Sequence, residues 1–361
     1  MYRATLIYGD GIGPEVIEAT KIIIDELVDV EWDVVEVGKK ALKKYGNPLP
    51  DEVVESIKRN KIALKGPVTT KLGMGGFKSV TVALRKIFDL YANVRPFRSI
   101  PTVSPYKNVD IVVCRENTED LYSGIEFYAG DSLTIELTKY LVEKLGVRID
   151  KDSAVSLKVI SIYNTKRISE FAFQYGIKNN RKKITIVHKS NILKATDGLF
   201  LEIAKGVAKK YSMYNITVED KIVDNMALQL IQNPQSYDIL LTPNLYGDIL
   251  SDLCAGLVGG LGLCPGANIG DKYAIFEPIH GSAPNIAGKG IANPTAAILS
   301  GAMMLDHLGE KEKAEIIRSA IFLVYTEGKK LTYDIANRVN VSPVSTTEFT
   351  KEVIRKIREL I

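Results

Sequence analysis

Short apolar runs alternate with amphipathic stretches along most of this chain. The segments "ATLIYGD" at 4–10 and "KIALKGP" at 61–67 have the length of β-strands and lead into loops. "EVIEATKIIIDELV" at 15–28 repeats apolar residues at helical spacing, and Pro14 suits the first turn of that helix. This alternation predicts an α/β fold, in which helices pack on a β-sheet.

Three further apolar runs end in polar residues. They are "VDIVVCREN" at 109–117, "KITIVHKSN" at 183–191 and "YDILLTPN" at 237–244. A second helix is predicted over "SVTVALRKIFDLYANV" at 79–94. Polar groups at the ends of core strands are where α/β folds place their sites, so we expect functional residues to follow the three runs.

Another predicted helix, "NLYGDILSD" at 244–252, carries two aspartates one turn apart. Asp248 and Asp252 would lie on one face, where like charges repel each other. A divalent cation such as Mg²⁺ or Mn²⁺ between them would remove the repulsion, and a solvated helix face is the alternative. Asp224, after the apolar "KIV", could add a third carboxylate or only cap a strand end.

Three arginines, a lysine and a tyrosine complete the candidate chemistry. Arg85, Arg95 and Arg115 could bind substrate carboxylates through bidentate forks, or could form surface ion pairs. Near such cations and a metal, Lys189 could act as a base and Tyr122 could relay a proton. A solvated lysine and a core tyrosine are the alternatives.

Two glycine-containing segments are candidate cofactor contacts. "GDGIGPE" at 9–15 mimics part of a dinucleotide fingerprint, but its third glycine comes too early, and a tight turn is the alternative. His280 lies within "EPIHGSAPNIAGKG" at 277–290. That loop could wrap an adenine or merely connect two elements.

Composition and charge narrow the classes of function. The chain has 361 residues, enough for one large or two ordinary domains, and 47 basic against 43 acidic residues. It has no basic arm or stripe, so we expect no nucleic-acid partner. Cys114, Cys254 and Cys264 are too widely spaced for a zinc or disulfide framework, which favours a reducing compartment.

The uncharged stretch at 253–270 has the length of a short membrane span. It contains six glycines and Pro265, so we interpret it as a buried, loop-rich junction. The first residues lead directly into a strand-like run without the pattern of a signal peptide. We therefore expect no membrane association and a cytoplasmic location.

Taken together, several motifs resemble those of the β-decarboxylating dehydrogenases, the family of isocitrate, isopropylmalate and homoisocitrate dehydrogenases. The resemblance covers nearly the whole chain, in the family's order: "GDGIGPE", "LYANVRP", "RENTED", "HKSNI", "NLYGDILSD" and "HGSAPNIAGK". It implies two α/β domains around a cleft. The first domain would comprise 1–97 and 256–361, on the cofactor side, and the second 98–255, with a dimer clasp at about 122–160.

The resemblance also implies roles for individual residues. Substrate would contact Ser79, Thr81, Arg85, Arg95 and Arg115. Catalysis would use Tyr122, Lys189 and Asp224. The metal ligands would be Asp224, Asp248 and Asp252. In the family the lysine and the first of these aspartates come from the neighbouring subunit, which implies a homodimer with shared active sites, alone or within a higher oligomer.

The cofactor implied is NAD, with NADP as the alternative. The matching positions are Thr70, Glu277, His280, Gly281, Ser282, Ala283, Asn285, Ile286, Asn293 and Tyr333. NADP-using relatives carry Lys-Tyr where this chain has Asn285 and Ile286, and a larger residue and an arginine where it has Ala292 and Asn337. Tyr333 is the contrary sign, because it resembles a contact to a 2′-phosphate.

Within the family, the segment "KGPVTTKLGMGGFKSVTVALR" at 65–85 resembles the compact prokaryotic isocitrate dehydrogenases. Lys78 and Ser79 would suit a third carboxylate, whereas isopropylmalate enzymes place apolar residues there. Thr81 stands where isocitrate dehydrogenases usually have asparagine, which keeps homoisocitrate as the alternative substrate. The implied reaction is oxidative decarboxylation of isocitrate in the tricarboxylic acid cycle; isopropylmalate dehydrogenase and a non-catalytic regulatory subunit are remoter alternatives.

Overall fold

A computed structural model describes residues 1–70 and 79–361. The strands in this part of the chain are β1 (Tyr2–Ile7), β2 (Val30–Val35), β3 (Ile62–Lys65), β4 (Ala92–Arg98), β5 (Asp110–Glu116), β6 (Glu126–Phe127), β7 (Val155–Ser156), β8 (Lys183–His188), β9 (Thr217–Ile222), β10 (Ile239–Thr242), β11 (Pro265–Ile269) and β12 (Ala274–Pro278). The helices are α1 (Gly13–Asp25), α2 (Gly38–Tyr45), α3 (Asp51–Asn60), α4 (Val80–Ile87), α5 (Ser132–Leu145), α6 (Ile162–Lys178), α7 (Thr196–Lys210), α8 (Val223–Gln232), α9 (Asn244–Val258), α10 (Thr295–Leu308), α11 (Lys311–Glu327), α12 (Tyr333–Val339) and α13 (Thr346–Leu360).

Ten of these strands form one continuous sheet in the order β2-β1-β3-β12-β11-β4-β5-β10-β8-β9. The pairs at both ends of this order are parallel. In the centre, β4 pairs antiparallel with both β5 and β11, and β11 pairs antiparallel with β12. The predicted α/β class is confirmed.

Helices cover both faces of the sheet. Successive side chains of a strand point to opposite faces, so a run of apolar residues needs a packing partner on each face. In β1, Leu6 belongs to the core cluster that contains apolar residues of α1, α10, α11 and α13. The next residue, Ile7, belongs to a different cluster, together with apolar residues of α3 and α4. Further along the sheet, Ile184 and Ile186 of β8 share a core cluster with Phe173 of α6. None of the described helices combines the length and apolarity needed to cross a bilayer.

Two predicted elements differ from the structure. The helix expected at 79–94 ends with α4 at Ile87, and residues 92–98 form strand β4 instead. Asp89, at a φ of 48°, turns the chain between them, and pairing with β5 and β11 decides the conformation that follows. The junction expected at 253–270 is loop-rich only in part, because α9 continues to Val258 and β11 begins at Pro265.

The three strands predicted to end in functional residues are neighbours in the sheet. β10 lies between β5 and β8 and is parallel to both. Their carboxyl ends therefore meet at one edge. This arrangement brings Arg115 at the end of β5, Lys189 after β8 and Asn244 after β10 to the same side of the fold.

The predicted domain segments occupy separate stretches of the sheet. β5, β10, β8 and β9, from 98–255, are contiguous at one end. The remaining six strands come from 1–97 and 256–361, except that β4 extends one residue further, to Arg98. The division at these residues stays a prediction. Within the predicted clasp, β6 and β7 form a separate antiparallel pair, and α5 buries only Thr134.

The glycine motif at 9–15 is a tight turn that packs against two other loops. Gly11 has a φ of 60°, and a Cβ there would lie 1.8 Å from the carbonyl oxygen of Ser282. The neighbouring Ile12 N–H donates to the same oxygen at 2.9 Å, and Asp10 N–H donates to Pro67 O at 2.7 Å. Only glycine therefore allows this turn to approach the loop that begins at Gly281.

We expect Gly11→Ala to lower the thermal midpoint much more than Gly46→Ala. Gly46 has a similar φ of 71°, but a Cβ there would meet nothing within 4 Å. The control therefore reports only the conformational penalty, about 1–2 kcal/mol, whereas Gly11→Ala adds a backbone clash. Differential scanning calorimetry of both variants measures the difference. Equal midpoints would contradict the proposed close approach.

Candidate functional site

Asp248, on the first turns of α9, is the centre of a cluster of arginines. Its Oδ1 accepts hydrogen bonds from Arg115 Nη1 at 2.5 Å and from Arg95 Nη1 at 3.2 Å. Its Oδ2 accepts from the Tyr122 hydroxyl at 2.5 Å. Four residues predicted to act on substrate or metal are thus in direct contact, although they are spread over 153 positions of the chain.

Arg115 is held in place from both sides. Its Nε and Nη2 donate to Asn244 Oδ1, at 3.0 and 2.6 Å, and its guanidinium lies 4.8 Å from the centre of the Tyr122 ring. On the other side, a Cβ at Gly247 would lie 2.6 Å from Arg115 Cγ. Gly247 therefore lets α9 pass close to a fully buried arginine.

A second buried network holds Arg85. Asn268 Oδ1 accepts hydrogen bonds from Arg85 Nε, Asn93 and Asn117, each at 3.0 Å. The Asn268 amide donates to Glu277 Oε1 at 2.8 Å. Glu277 also forms a buried ion pair with Lys65 and lies 3.7 Å from Arg85 Nη2.

Both networks border a cavity of about 110 Å³. The polar residues that line it include Lys65, Thr81, Arg85, Asn93, Arg95, Glu277 and His280. With Arg115 and Asp248 beside it, this region holds four cationic side chains and two carboxylates. Arg95 Nε has no hydrogen-bond partner among the described residues. The excess positive charge and the unused donor suit an anionic ligand.

The pKa shifts report the same charge imbalance. Burial and the neighbouring Arg115 lower the pKa of Arg85 to about 10. Burial and Arg115 also lower the pKa of Arg95. Burial opposes ionisation of Asp248, but attraction by Arg115 and Arg95 outweighs it, so the pKa of that carboxyl lies below its ordinary value. A bound anion would relieve the repulsion among the guanidinium groups.

The donor set on α9 fits a hard divalent cation. Asp252 follows Asp248 by one turn and remains accessible to solvent. Partial desolvation of its carboxyl, counteracted by Arg95, raises its pKa. A cation beside it would favour the ionised form. Carboxylate oxygens are the ligands that Mg²⁺ and Mn²⁺ prefer. Among residues 1–70 and 79–361, no three histidine, cysteine or acidic side chains of one chain are placed to hold an ion.

A larger cavity, of about 380 Å³, adjoins the cationic one. His280 and Gly281 line both, and burial lowers the pKa of His280, which favours its neutral form. The larger cavity is lined by Ile12, Leu261, Gly262, Ala283, Ile286, Ile291, Asn293, Tyr333 and Asp334. Apolar walls with a few polar groups suit a flat heterocyclic ring.

Lys189 and Asp224 form a separate pair. Lys189 Nζ lies 2.5 Å from Asp224 Oδ1, and this hydrogen bond lowers the pKa of the carboxyl. The Asp224 side chain is 68% exposed, and neither residue lines the two cavities described above. The pair is therefore accessible to a second molecule.

Five predicted substrate or cofactor contacts do not line either cavity: Arg115, described above, and four others. The Ser79 hydroxyl accepts from Val82 N–H at 3.5 Å at the start of α4. Ser282 is buried and shares a hydrogen bond of 2.7 Å with Thr69. Thr70 and Asn285 are exposed. Lys78 lies outside the described residues.

Several residues of the site have no role predicted from the sequence. Lys65, Asn93, Leu261, Gly262 and Asp334 line the cavities, and Asn268 belongs to the hydrogen-bond network of Arg85. A signal existed for Lys65, because a lysine that ends the apolar run "KIAL" needs a buried partner or an exit to water. For Asn268 the signal was weaker, since only the fold shows its three donors.

The fold and the site define an α/β protein with a cationic, carboxylate-bearing cavity beside a second cavity with mostly apolar walls. A family model described as isocitrate/isopropylmalate dehydrogenase matches residues 3–353. The chain belongs to this family, as the motifs indicated, and is thus related to dehydrogenases that act on small molecules.

Relatives of known name cover almost the whole chain. An isocitrate dehydrogenase [NADP] of Archaeoglobus fulgidus is 42% identical, with 98% of this chain and 92% of the relative aligned. The homoisocitrate dehydrogenase of Methanocaldococcus jannaschii is 44% identical, over 99% of both. A probable isocitrate dehydrogenase [NAD] subunit alpha of Drosophila melanogaster is 46% identical, over 98% of this chain and 87% of the relative.

The fold agrees with a solved structure. The crystal structure of isocitrate dehydrogenase from Methylococcus capsulatus matches with a TM-score of 0.89 and 45% identity, over 99% of this chain and 100% of that one. The predicted isocitrate/isopropylmalate dehydrogenase fold is thereby confirmed. The named relatives differ in substrate and in nicotinamide cofactor, so membership of the family leaves both open.

We expect Lys65→Met to destabilise the protein by about 3 kcal/mol, because it leaves the Glu277 carboxylate buried without its ion-pair partner. Lys58→Met is the matched control, since Lys58 forms an exposed ion pair with Glu55 and its loss should change little. Urea unfolding followed by circular dichroism measures both variants. A Lys65→Met midpoint equal to that of Lys58→Met would refute the structural role of the pair.

Proposed function

We propose that this chain catalyses the oxidative decarboxylation of isocitrate to 2-oxoglutarate and CO₂, with NAD as the electron acceptor. The arginine cluster carries the proposal: Arg85, Arg95 and Arg115 interact around one cationic cavity beside Asp248. A hydroxy-tricarboxylic acid offers three carboxylates to such a cluster. It also offers a hydroxyl that could reach a cation held by α9.

Two carboxylates of this chain would hold Mg²⁺ or Mn²⁺. They are Asp248 and Asp252, and the third would be Asp224 of the partner subunit. When bound, the cation would supply a Lewis acid next to the substrate oxygens, and the nicotinamide would supply the hydride acceptor. The exposed position of Asp224 supports a role toward a second chain.

The chain's own residues would move the protons. Lys189 would take the proton of the substrate hydroxyl, and Asp224 at 2.5 Å would keep its Nζ in place. Tyr122 would return a proton to the substrate carbon after CO₂ leaves. Its hydroxyl hydrogen bond to Asp248 Oδ2 places the phenol beside the metal-binding helix.

The arginines and two hydroxyl side chains would orient the substrate. Arg115 is the most rigidly held, through Asn244 and Asp248. Thr81 lines the cationic cavity, so its side chain would meet the part of the substrate that distinguishes isocitrate from homoisocitrate. Ser79 begins the same helix and would add a hydrogen bond to a carboxylate.

The larger cavity would hold the adenosine half of NAD. Ala283, Ile286, Asn293 and Tyr333 line it, and His280 and Gly281 lead from it to the cationic cavity. Of the remaining predicted contacts, Thr70, Ser282 and Asn285 would act at its margins, whereas Glu277 lines the cationic cavity. NAD is favoured over NADP because no cation is carried at Asn285, Ile286 or Asn337 to receive a 2′-phosphate.

We further propose a homodimer, alone or within a larger assembly, in which each site combines residues of two chains. Helix α5 leaves Leu133, Ile135 and Tyr140 more than half exposed. Apolar surface of this extent on a short segment marks a protein contact. The segment would be the clasp that the sequence predicted at about 122–160.

A cytoplasmic location also stays part of the proposal.

Homoisocitrate dehydrogenase is the second candidate. Thr81 on the cavity wall and the 44% identical homoisocitrate dehydrogenase of Methanocaldococcus jannaschii favour it. A longer substrate arm would need space, and a threonine side chain is one bond shorter than the asparagine that isocitrate dehydrogenases usually carry at this position. Isopropylmalate is disfavoured, because its isopropyl group would meet a wall of arginines.

A substrate panel tests the proposal. Purified protein with Mg²⁺ is assayed with isocitrate, homoisocitrate and 3-isopropylmalate, each with NAD⁺ and with NADP⁺, by absorbance of the reduced nicotinamide. We expect the highest kcat/KM with isocitrate and NAD⁺. A higher value with homoisocitrate would replace the substrate, and a higher value with NADP⁺ would replace the cofactor. The absence of turnover with every pair would favour a non-catalytic subunit.

We expect Asp248→Asn to weaken Mn²⁺ binding in the presence of isocitrate by at least about tenfold, because a charged oxygen ligand is lost. Free Mn²⁺ is measured by electron paramagnetic resonance, which needs no turnover. Asp306→Asn is the control, since Asp306 has the same 37% side-chain exposure and pairs with Arg318. Equal Mn²⁺ binding by both variants would remove Asp248 from the metal site.

A further inference from the structure

The acidic residues of "RENTED" hold backbone groups rather than ligands. Glu116 accepts from Glu119 N–H at 2.9 Å, and Glu119 accepts from Ser161 N–H at 2.9 Å. Asp120 Oδ2 accepts from Leu245 N–H at 2.9 Å. Asp120 thereby joins the segment that leads to Tyr122 to the first turn of α9, which carries the metal-binding aspartates.

A second buried aspartate does the same for the proposed base. Asp197, in the first turn of α7, is fully buried, and its Oδ2 accepts from the backbone N–H of Lys189 at 2.7 Å. The Lys189 side chain can then extend to Asp224. Asp197 therefore fixes the backbone at Lys189, just as Asp120 fixes the backbone at the start of α9.

One lysine lies between these two aspartates. Lys158 Nζ is 2.6 Å from Asp197 Oδ1, 3.7 Å from Asp120 Oδ1 and 4.4 Å from the centre of the Tyr246 ring. Both carboxylates are fully buried, and the lysine side chain is 13% exposed. Asp120 Oδ1 has no hydrogen-bond partner among the described residues, and Asp120 has a φ of 65°.

Two buried carboxylates so close together would repel each other without a cation. Lys158 supplies that cation. The residue after it, Val159, accepts a hydrogen bond from Asp120 N–H at 2.9 Å, so the same segment contacts Asp120 where its backbone has a conformation that non-glycine residues rarely adopt. The two acceptor bonds to Leu245 and to Lys189 thus depend on the same ammonium group.

We propose that Lys158 is a positioning residue that joins the Tyr122–Asp248 half-site to the Lys189–Asp224 half-site of the same chain through Asp120 and Asp197. This inference rests on the proposed function, in which the two half-sites of one chain serve different active sites of the dimer. Lys158 lines neither of the two cavities proposed for substrate and cofactor. In a dimer in which only one chain lacks Lys158, both active sites would be disturbed, because that chain contributes a half-site to each.

Mixed dimers test this consequence. Differently tagged chains are co-expressed, and dimers with one wild-type and one variant chain are purified. A Lys189→Met chain damages one of two sites, so its mixed dimer should keep roughly half of the wild-type activity if the sites act independently. A Lys158→Met chain contributes a disturbed half to both sites, and its mixed dimer should fall well below that value.

In pure dimers we expect Lys158→Met to lower kcat by about 10- to 100-fold, the effect of a displacement of about 1 Å at catalytic groups. Lys158→Arg, which keeps the charge, should recover part of the loss. Lys356→Met is the matched structural control, since Lys356 also lies buried between two carboxylates, Glu327 and Glu359, but in α13. It should lower the thermal midpoint without a comparable loss of kcat.

Hydrogen exchange separates failure of this inference from failure of the proposed function. We expect peptides that contain the amides of Lys189 and Leu245 to exchange faster in Lys158→Met than in Lys356→Met, whichever substrate is turned over. Unchanged exchange at both amides would overturn the positioning role, as would a kcat equal to that of Lys356→Met. A Lys158→Met mixed dimer that keeps half its activity would overturn the link between the two half-sites.

Discussion

Burial of charge is the constraint on which this site depends. The arginines and the lysine around the cationic cavity are almost fully enclosed, and each is held by a carboxylate or an amide from another strand or from α9. Removal of one partner would leave a buried ion uncompensated, which is among the most destabilising changes in a protein interior. The groups that prepare the cavity for an anion are therefore also groups that hold the central strands together.

The local sequence pattern was sufficient to predict helix α1 and the strands β1, β3, β5, β8 and β10. It failed at β4, because "DLYANV" continues a helical spacing, while residues 92–98 pair with β5, the next strand, and residues 92–94 also pair with β11, which comes much later in the chain. The polar ends of β5, β8 and β10 were predictable, since each follows a buried run. Lys65 and Glu277, 212 residues apart, were not linked by any spacing in the sequence.

The candidate site could be assembled from motifs, but the motifs do not reveal what each residue contacts. In "RENTED", Arg115 faces Asp248, whereas the acidic residues hold the backbone. The glycine motif near the start behaves as a turn that supports the loop at Ser282. The residues of a conspicuous motif thus divide between the chemistry and the scaffold, and only the hydrogen-bond partners distinguish them.

The antiparallel strands at the centre of the sheet restrict how the protein can change shape. β4, the last strand of one stretch, pairs with β5, the first strand of the other, along its whole length from Ala92 to Arg98, so backbone hydrogen bonds join the two stretches. A hinge motion that separated the two stretches would have to break several backbone hydrogen bonds of this ladder at once. If the molecule opens and closes around its ligands, a motion that keeps the β4–β5 ladder intact has to twist the sheet instead of separating the two stretches.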